Sequence, residues 1–384
     1  VVQYCTSQDL PKLRRAKYGS TLKVSTVAII VVRNFYKICR KLILCALSKN
    51  DLLSAKEIFN AMSESARDEP MSRFLLYKVA VRSGDIDLAA ECLAIVSASS
   101  TEDPTLMYAC CLDAQQAGNK TQTLLALQLV LENYTCKPSA GLHFPSLIRL
   151  AIGLMESILD EPPNKDGSEN SETIIERMCI AFEKASGALQ KSYSHSKVGD
   201  SAWNVEELEW FSKNSYNIAI KHLATWHPRQ SLRILTCSIT FIDCYPEDLS
   251  EQVSEDLSLR KMFCQFSAST ALVSLARGED NIEAQLQDYL TLRKHVANFH
   301  NLLQDKLDKM GGNAEQDLRR KLSILVAFDF EAACHLKAWN DLKEVVYRVE
   351  VCRSSQVYEV MADCLLCSQA PTQGCISPSC KISC

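Results

Sequence analysis

Apolar residues along this chain recur mostly at three- and four-residue steps. The stretches they form end at short polar, Gly or Pro breaks, which is the spacing of helices that bury one stripe. Short alternating runs followed by turn pairs, the mark of hairpin strands, are missing. Three helical stretches align at a single offset. Asn50, Gly84 and Gly118 lie 34 residues apart and are followed by Asp51, Asp85 and Asn119. Ala46, Ala80 and Ala114 precede them at the same step. The columns then continue through Ala55, Ala89 and Thr123, through Phe59, Leu93 and Leu127, and through Met62, Val96 and Val130.

Each copy reads as a helix, a tight turn at the Asn or Gly, and a second helix. Small residues let the two backbones approach, and large ones fill the gap to the next hairpin. One hairpin cannot bury its apolar stripe alone, so several must stack. The period of 34 with small, small, large and medium columns matches the tetratricopeptide pattern, although its usual Trp and closing Pro are absent.

The helical punctuation continues. A helix over 144–159 stops before Pro162 and Pro163, and 164–172 is polar enough to be an exposed loop. Residues 173–193 resume the pattern. Asn204 with Glu207 three residues on forms a capping box that opens a helix with Leu208, Phe211, Ile218, Ala219, Leu223 and Trp226 on one stripe, ended by His227-Pro228. Further helices are expected over 229–243, over 257–275, after Asn281 up to Gly311-Gly312, and over 358–368. Residues 327–352 read as another repeat hairpin, with Trp339-Asn340 at the turn and Val345, Val349 and Cys352 in the large or medium columns.

Composition narrows the class. With 12 Gly and 11 Pro in 384 residues, the chain lacks the punctuation of an all-β sandwich or barrel. Hydrophobic residues at 47% and charged residues at 23% are globular values. The longest apolar run, at 27–32, is far too short to span a bilayer, so a soluble protein without membrane contact is expected. Of the eighteen cysteines, scattered through apolar positions, most read as small buried hydrophobes in a reducing compartment. The net charge of −4 conceals an asymmetry: residues 1–50 hold ten Lys or Arg against Asp9, which makes that stretch +9 and the rest −13. Lys12, Arg14, Arg15 and Lys17 are the candidate DNA contact, weighed against a merely solvated basic face.

No phosphate-binding Gly loop, zinc-binding His-Glu-x-x-His helix or Gly-x-Ser-x-Gly elbow occurs, so no catalytic residue, cofactor or small-molecule substrate is assigned. His295 and His300, five apart, point to different helix faces. Glu156 and Asp160 share a face, but nothing identifiable joins them. Cys364-x-x-Cys367 with Cys375, Cys380 and Cys384 has the residue types of a zinc site. Its irregular spacing argues for packing cysteines and an irregular tail, and no metal is assigned.

An aromatic cluster, Trp203, Trp210, Phe211, Tyr216 and Trp226, either wedges between helices or anchors a partner. Trp210, Phe211, Asn214, Tyr216 and Trp226 are the candidate partner-binding residues. The stretch Glu209-Trp210-Phe211-Ser212-Lys213-Asn214-Ser215-Tyr216-Asn217-Ile218-Ala219, with Trp226 at the helix end and residues 235–242 following, resembles the meiosis-specific tetratricopeptide family of Zip-four and sporulation protein twenty-two. Ser72-Arg73-Phe74-Leu75-Leu76-Tyr77-Lys78-Val79-Ala80 and Val357-Tyr358-Glu359-Val360-Met361-Ala362-Asp363 are similar to that family as well. The likeness runs over about 30–370, and 373–384 depart from it.

The expected fold is therefore all-α, a helical-hairpin solenoid of tetratricopeptide-like repeats. Residues 1–30 form a basic N-terminal segment, 31–370 a single array and 371–384 an irregular Cys-containing tail. The resemblance implies a non-enzymatic scaffold in the nucleus, on meiotic chromosomes. Its expected partners are other meiotic crossover and synaptonemal complex proteins, with at most a weak or indirect DNA contact. The alternative is a general tetratricopeptide-type adaptor with a basic N-terminal nucleic-acid contact.

Overall fold

The computed structural model describes residues 21–99, 104–133, 143–161, 171–195, 203–307, 312–352 and 354–367. Helix is the only regular secondary structure among them, and no strand occurs among the described residues. The chain divides into two compact units, residues 1–137 and 138–384, with the boundary inside the span expected as one array.

The first unit holds α1 (Thr21–Ser48), α2 (Leu52–Asn60), the short α3 (Glu64–Arg67), α4 (Pro70–Ser83), α5 (Ile86–Ser99), α6 (Thr105–Gln116) and α7 (Lys120–Asn133). Its three hairpins, α1–α2, α4–α5 and α6–α7, are joined by one repeated device. Asn50, Gly84 and Gly118 sit in the left-handed region at φ 56°, 74° and 72°. That conformation is open to Gly and tolerated by Asn. The next residue then closes one helix and opens the other. The backbone N–H groups of Asp51, Asp85 and Asn119 donate to the carbonyls of Ala46, Ala80 and Ala114 at 2.9, 3.0 and 3.0 Å. Their side-chain Oδ1 atoms accept from the N–H groups of Ser54, Leu88 and Gln122 at 3.1, 3.2 and 3.0 Å. These bonds satisfy backbone groups that a helix end leaves orphaned.

Four columns of the 34-residue register are buried. The set runs through Ala46, Ala80 and Ala114, Ala55, Ala89 and Thr123, Phe59, Leu93 and Leu127, and Met62, Val96 and Val130. Neighbouring hairpins stack, with α4 against α1 and α2 and α6 against α4 and α5. Charges reinforce the stack. Arg40 on α1 reaches Glu69 and Ser72, and Lys78 and Arg82 on α4 converge on the buried carboxylate of Asp113 on α6, at 2.8 and 3.5 Å.

The second unit runs through α8 (Phe144–Leu159), α9 (Ser171–His195), α10 (Val205–Lys221), α11 (Pro228–Asp243), α12 (Glu251–Gly278), α13 (Ile282–Leu307), α14 (Asn313–His335), α15 (Leu342–Cys352) and α16 (Ser355–Cys367). Most helices pack on the next in sequence, and α9 also packs on α11 and α14 on α16. Buried serines at 212, 215, 231, 238, 267 and 269 let α10, α11 and α12 come close, and Ser238 donates to the Ser212 carbonyl at 3.0 Å. Arginines bridge alternate layers. Arg233 on α11 clamps Glu176 and Glu183 of α9, both at 2.6 Å, while Arg229 grips Asp288 of α13 with two bonds of 2.8 and 2.9 Å. Most described thiols are buried and unbridged, and burial raises Cys92 to about 11 and Cys179 to about 12. They pack as small apolar groups.

Helix bounds differ from the sequence reading in several places, α14 for instance beginning at Asn313 where the reading began its last hairpin at 327, and three of the differences bear on the site or the repeat. Helix α10 ends at Lys221, so Trp226 lies in the following turn rather than on the helical stripe. Helix α12 begins at Glu251, because its first two turns are exposed and carry no apolar stripe to reveal them. In the last hairpin the left-handed residue is Lys337, at φ 54°, ahead of the expected Trp339-Asn340, and the Ala338 N–H closes on the Ala333 carbonyl at 2.9 Å. The joint matches Ala80, Gly84 and Asp85 but is followed by three additional residues before the buried Val345 and Val349. The side chain of Cys352 and the tail from residue 368 lie outside the described residues.

Candidate partner-binding surface

The aromatic helix α10 begins at Asn204, whose Oδ1 accepts from the Glu207 N–H at 2.8 Å. The expected capping box is only half formed. The Glu207 carboxylate turns instead to Arg149 of α8, with both oxygens at 3.1 and 3.2 Å from one guanidinium nitrogen, while His143 stands 4.0 Å away. Arg149 in turn lies over the Trp210 ring at 5.6 Å, a cation–π contact at the protein surface.

The five candidate residues separate into three environments. Phe211 is a correction: it is fully buried, with Trp203, Trp210 and Phe241 centred 5.2, 5.0 and 5.1 Å away and Phe182 edge-on at 6.5 Å. It holds the core of the second unit and reaches no partner. Trp210 and Asn214 are half-buried on the next strip of the helix, and Asn214 Nδ2 donates to the Trp210 carbonyl at 2.7 Å. Tyr216 is half-buried too; burial raises its hydroxyl pKa, with the Cys264 thiol adding to the rise and Arg260 opposing it. Trp226 lies apart in the turn, stacked at 4.3 Å and 5° on His222, whose pKa burial and Lys221 lower. Trp210, with Arg149 over its ring and Asn214 one turn on, is thus the part of the cluster that faces the surface beside α8. Such a group anchors protein surfaces.

On another face of α10 stands a polar triad that the sequence did not announce. Arg260 donates to the Ser212 hydroxyl at 3.1 Å, and Tyr245 meets the same oxygen at 3.2 Å. The Glu156 and Asp160 pair is met by Lys221, 3.8 and 3.3 Å away.

A concavity of about 510 Å³ opens among α12, α14, α16 and the Lys337 turn. Its floor is Glu331, gripped by Arg277 at 2.9 and 2.5 Å and by the Tyr289 hydroxyl at 3.0 Å. Burial alone would raise the Glu331 pKa, but Arg277, the Tyr289 hydroxyl and His335 together outweigh it and hold the carboxylate below its usual range. All of these groups are engaged with one another. Among the described residues no three His, Cys, Asp or Glu side chains are arranged to hold a metal, and no helix is long and apolar enough to cross a membrane. Lys12, Arg14, Arg15 and Lys17, with Cys375, Cys380 and Cys384, lie outside the described residues.

No family model matches this chain, and no solved structure does. The chain is similar to sporulation-specific protein 22 of Saccharomyces cerevisiae, with 20% identity over 383 aligned positions that take in 93% of this chain and 38% of that protein. The chain thus spans well under half the length of the relative it matches. The likeness is that of a distant, sporulation-related relative.

Proposed function

We propose that this chain is part of a non-enzymatic protein-interaction scaffold acting in meiosis, built on tetratricopeptide-type repeats. The observation that carries the reading is the hairpin joint at Asn50, Gly84 and Gly118, which recurs with the same backbone closure and the same side-chain cap. Repeated hairpins create extended surfaces on which short partner segments dock, and they require no reaction centre. The meiotic part draws on the likeness to sporulation-specific protein 22. In this reading the protein works in the nucleus on meiotic chromosomes, promotes crossover formation and synaptonemal complex assembly, and binds proteins of those two assemblies.

The test is a pairwise binding screen of the full-length protein against the crossover and synaptonemal complex proteins of its source. Direct, salt-tolerant binding to at least one of them, weakened in W210A, is expected. Failure to bind any of them, or turnover of a small molecule by the purified protein, contradicts the proposal. The second reading, a general adaptor with a nucleic-acid contact, is favoured by the +9 charge of residues 1–50. It predicts DNA affinity that falls steeply with salt and is lost when Lys12, Arg14, Arg15 and Lys17 are neutralised.

A further inference from the structure

A cleft of about 430 Å³ lies in the first unit, where the first hairpin meets the second. Its lining comes from α2, α3, α4 and α5, so it belongs to the joint between two hairpins and not to an end of the stack. The buried Phe59 and Leu76 contribute to it, and Lys56, Arg67 and Arg73 bring three cations. The 34-residue register shows that charge is not what these columns hold elsewhere. Arg73 takes the column of Cys39 and Met107, which are buried at 4% and 0% exposure, and Lys56 takes that of Ala90 and Leu124.

Within the cleft the guanidinium is deep and the acids are shallow. The Arg73 side chain is 15% exposed, whereas its partners Asp68 and Glu91, at 2.7 and 3.1 Å, are 57% and 59% exposed. Glu64 is exposed as well, and Lys56 reaches Asp85 at 3.5 Å. Both terminal nitrogens of Arg73 are thus engaged, but its Nε is buried with no acceptor among the described residues. Arg67 is less satisfied still. Its Nε is likewise buried without an acceptor, and no carboxylate stands within ion-pair distance of it among the described residues. A buried guanidinium N–H without an acceptor forfeits the bonds it made to water, so folded proteins rarely keep one. Two at one cleft, one of them in a column that is apolar in the neighbouring repeats, mark a place for an acceptor from outside the chain. The planar edge of a guanidinium matches two oxygens of a carboxylate or a phosphate.

We propose that an oxyanion, either the carboxylate of a partner's Asp or Glu side chain or a free phosphate group, binds in this cleft on Arg67 and Arg73. The exposed acids around it favour an anion with positive charge beside it and hold off polyanions such as nucleic acid. The site rests on the packing of the first unit alone, so its failure would leave the scaffold reading standing, and failure of that reading would leave the site.

The test is isothermal titration of the whole chain with two probes, sodium phosphate and the blocked peptide Lys-Glu-Lys, each against chloride at matched ionic strength. Saturable binding of at least one probe is expected, and R67Q and R73M should each weaken it about tenfold or more. R73M gives the column the Met that the third hairpin carries, so it should unfold as cooperatively as wild type, and R67Q tests the site independently of that position. Peptide binding that is lost when its Glu is replaced by Gln names a partner side chain as the source. Phosphate binding alone names a free anion, and either result supports the proposal. Binding of neither probe, equal binding of the Glu and Gln peptides without binding of phosphate, or affinity unchanged in both variants overturns it. So does a duplex DNA affinity that both variants weaken, which would make the cleft part of a nucleic-acid surface.

Discussion

Two residues expose the logic of the fold most clearly, because in each the local chemistry opposes the structure it occupies. Lys337 adopts the left-handed conformation that Gly84 and Gly118 adopt freely, and a side chain there costs about 1 to 2 kcal/mol. K337G should therefore stabilise the second unit by about 0.5 kcal/mol or more, the gain being trimmed by the greater freedom of an unfolded Gly. G84A should cost about 1 kcal/mol. No atom lies within 4 Å of its new Cβ, so backbone strain alone sets that cost. Urea melts of the two variants, shifted in opposite directions, check the pair. His295 is the other case: bonded to Gln265 and largely buried, its pKa is pushed down to about 4 from 6.5. The unfolded chain takes up the proton first, so stability is full above pH 6.5 and falls as pH drops toward 4, by at most about 3 kcal/mol. H295Q should flatten that part of the stability profile relative to wild type, measured by denaturant titration across the pH series.

At the scale of the element, α10 shows what a sequence can and cannot disclose. Trp210 and Phe211 are adjacent and equally aromatic, yet about 100° of helical rotation separates a surface ring from a core one. F211A should cost about 3 to 5 kcal/mol, while W210A should cost far less stability and instead weaken partner binding. Equal losses of stability in the two would place Trp210 in the core. The hairpin joints of the first unit were legible because the left-handed turn restricts its residue to Gly or Asn, and because Asp or Asn must follow to cap the next helix. The joint at Lys337 was not, since nothing in a lysine announces that backbone. The Arg149–Glu207 bond was hidden for a different reason. Its partners stand 58 residues apart, and the Glu had a plausible local role in a capping box. Helix periodicity found the middles of α8 to α13 and the second half of α14, but not the first half of α14, the exposed start of α12 or the early end of α10.

At the scale of the molecule, each unit is assembled from helices that pack largely on their neighbours in sequence, so damage should spread along a unit. Ala89 is wholly buried between α4 and α5, and A89L should overfill that gap by about 1 to 3 kcal/mol. Hydrogen exchange should then rise in α2 and α6 as well as in α4 and α5; a rise confined to α5 would contradict stacked repeats. In the proposed function the chain is one stretch of a larger interaction surface, and about three-fifths of the sporulation-specific protein it resembles lies beyond the alignment. The most direct test of that proposal is immunofluorescence of the tagged full-length protein on spread meiotic nuclei of its source. Discrete foci along paired chromosome axes that vanish when recombination initiation is blocked are the predicted result. A diffuse cytoplasmic signal, or equal expression in vegetative cells with no meiotic change, would contradict it.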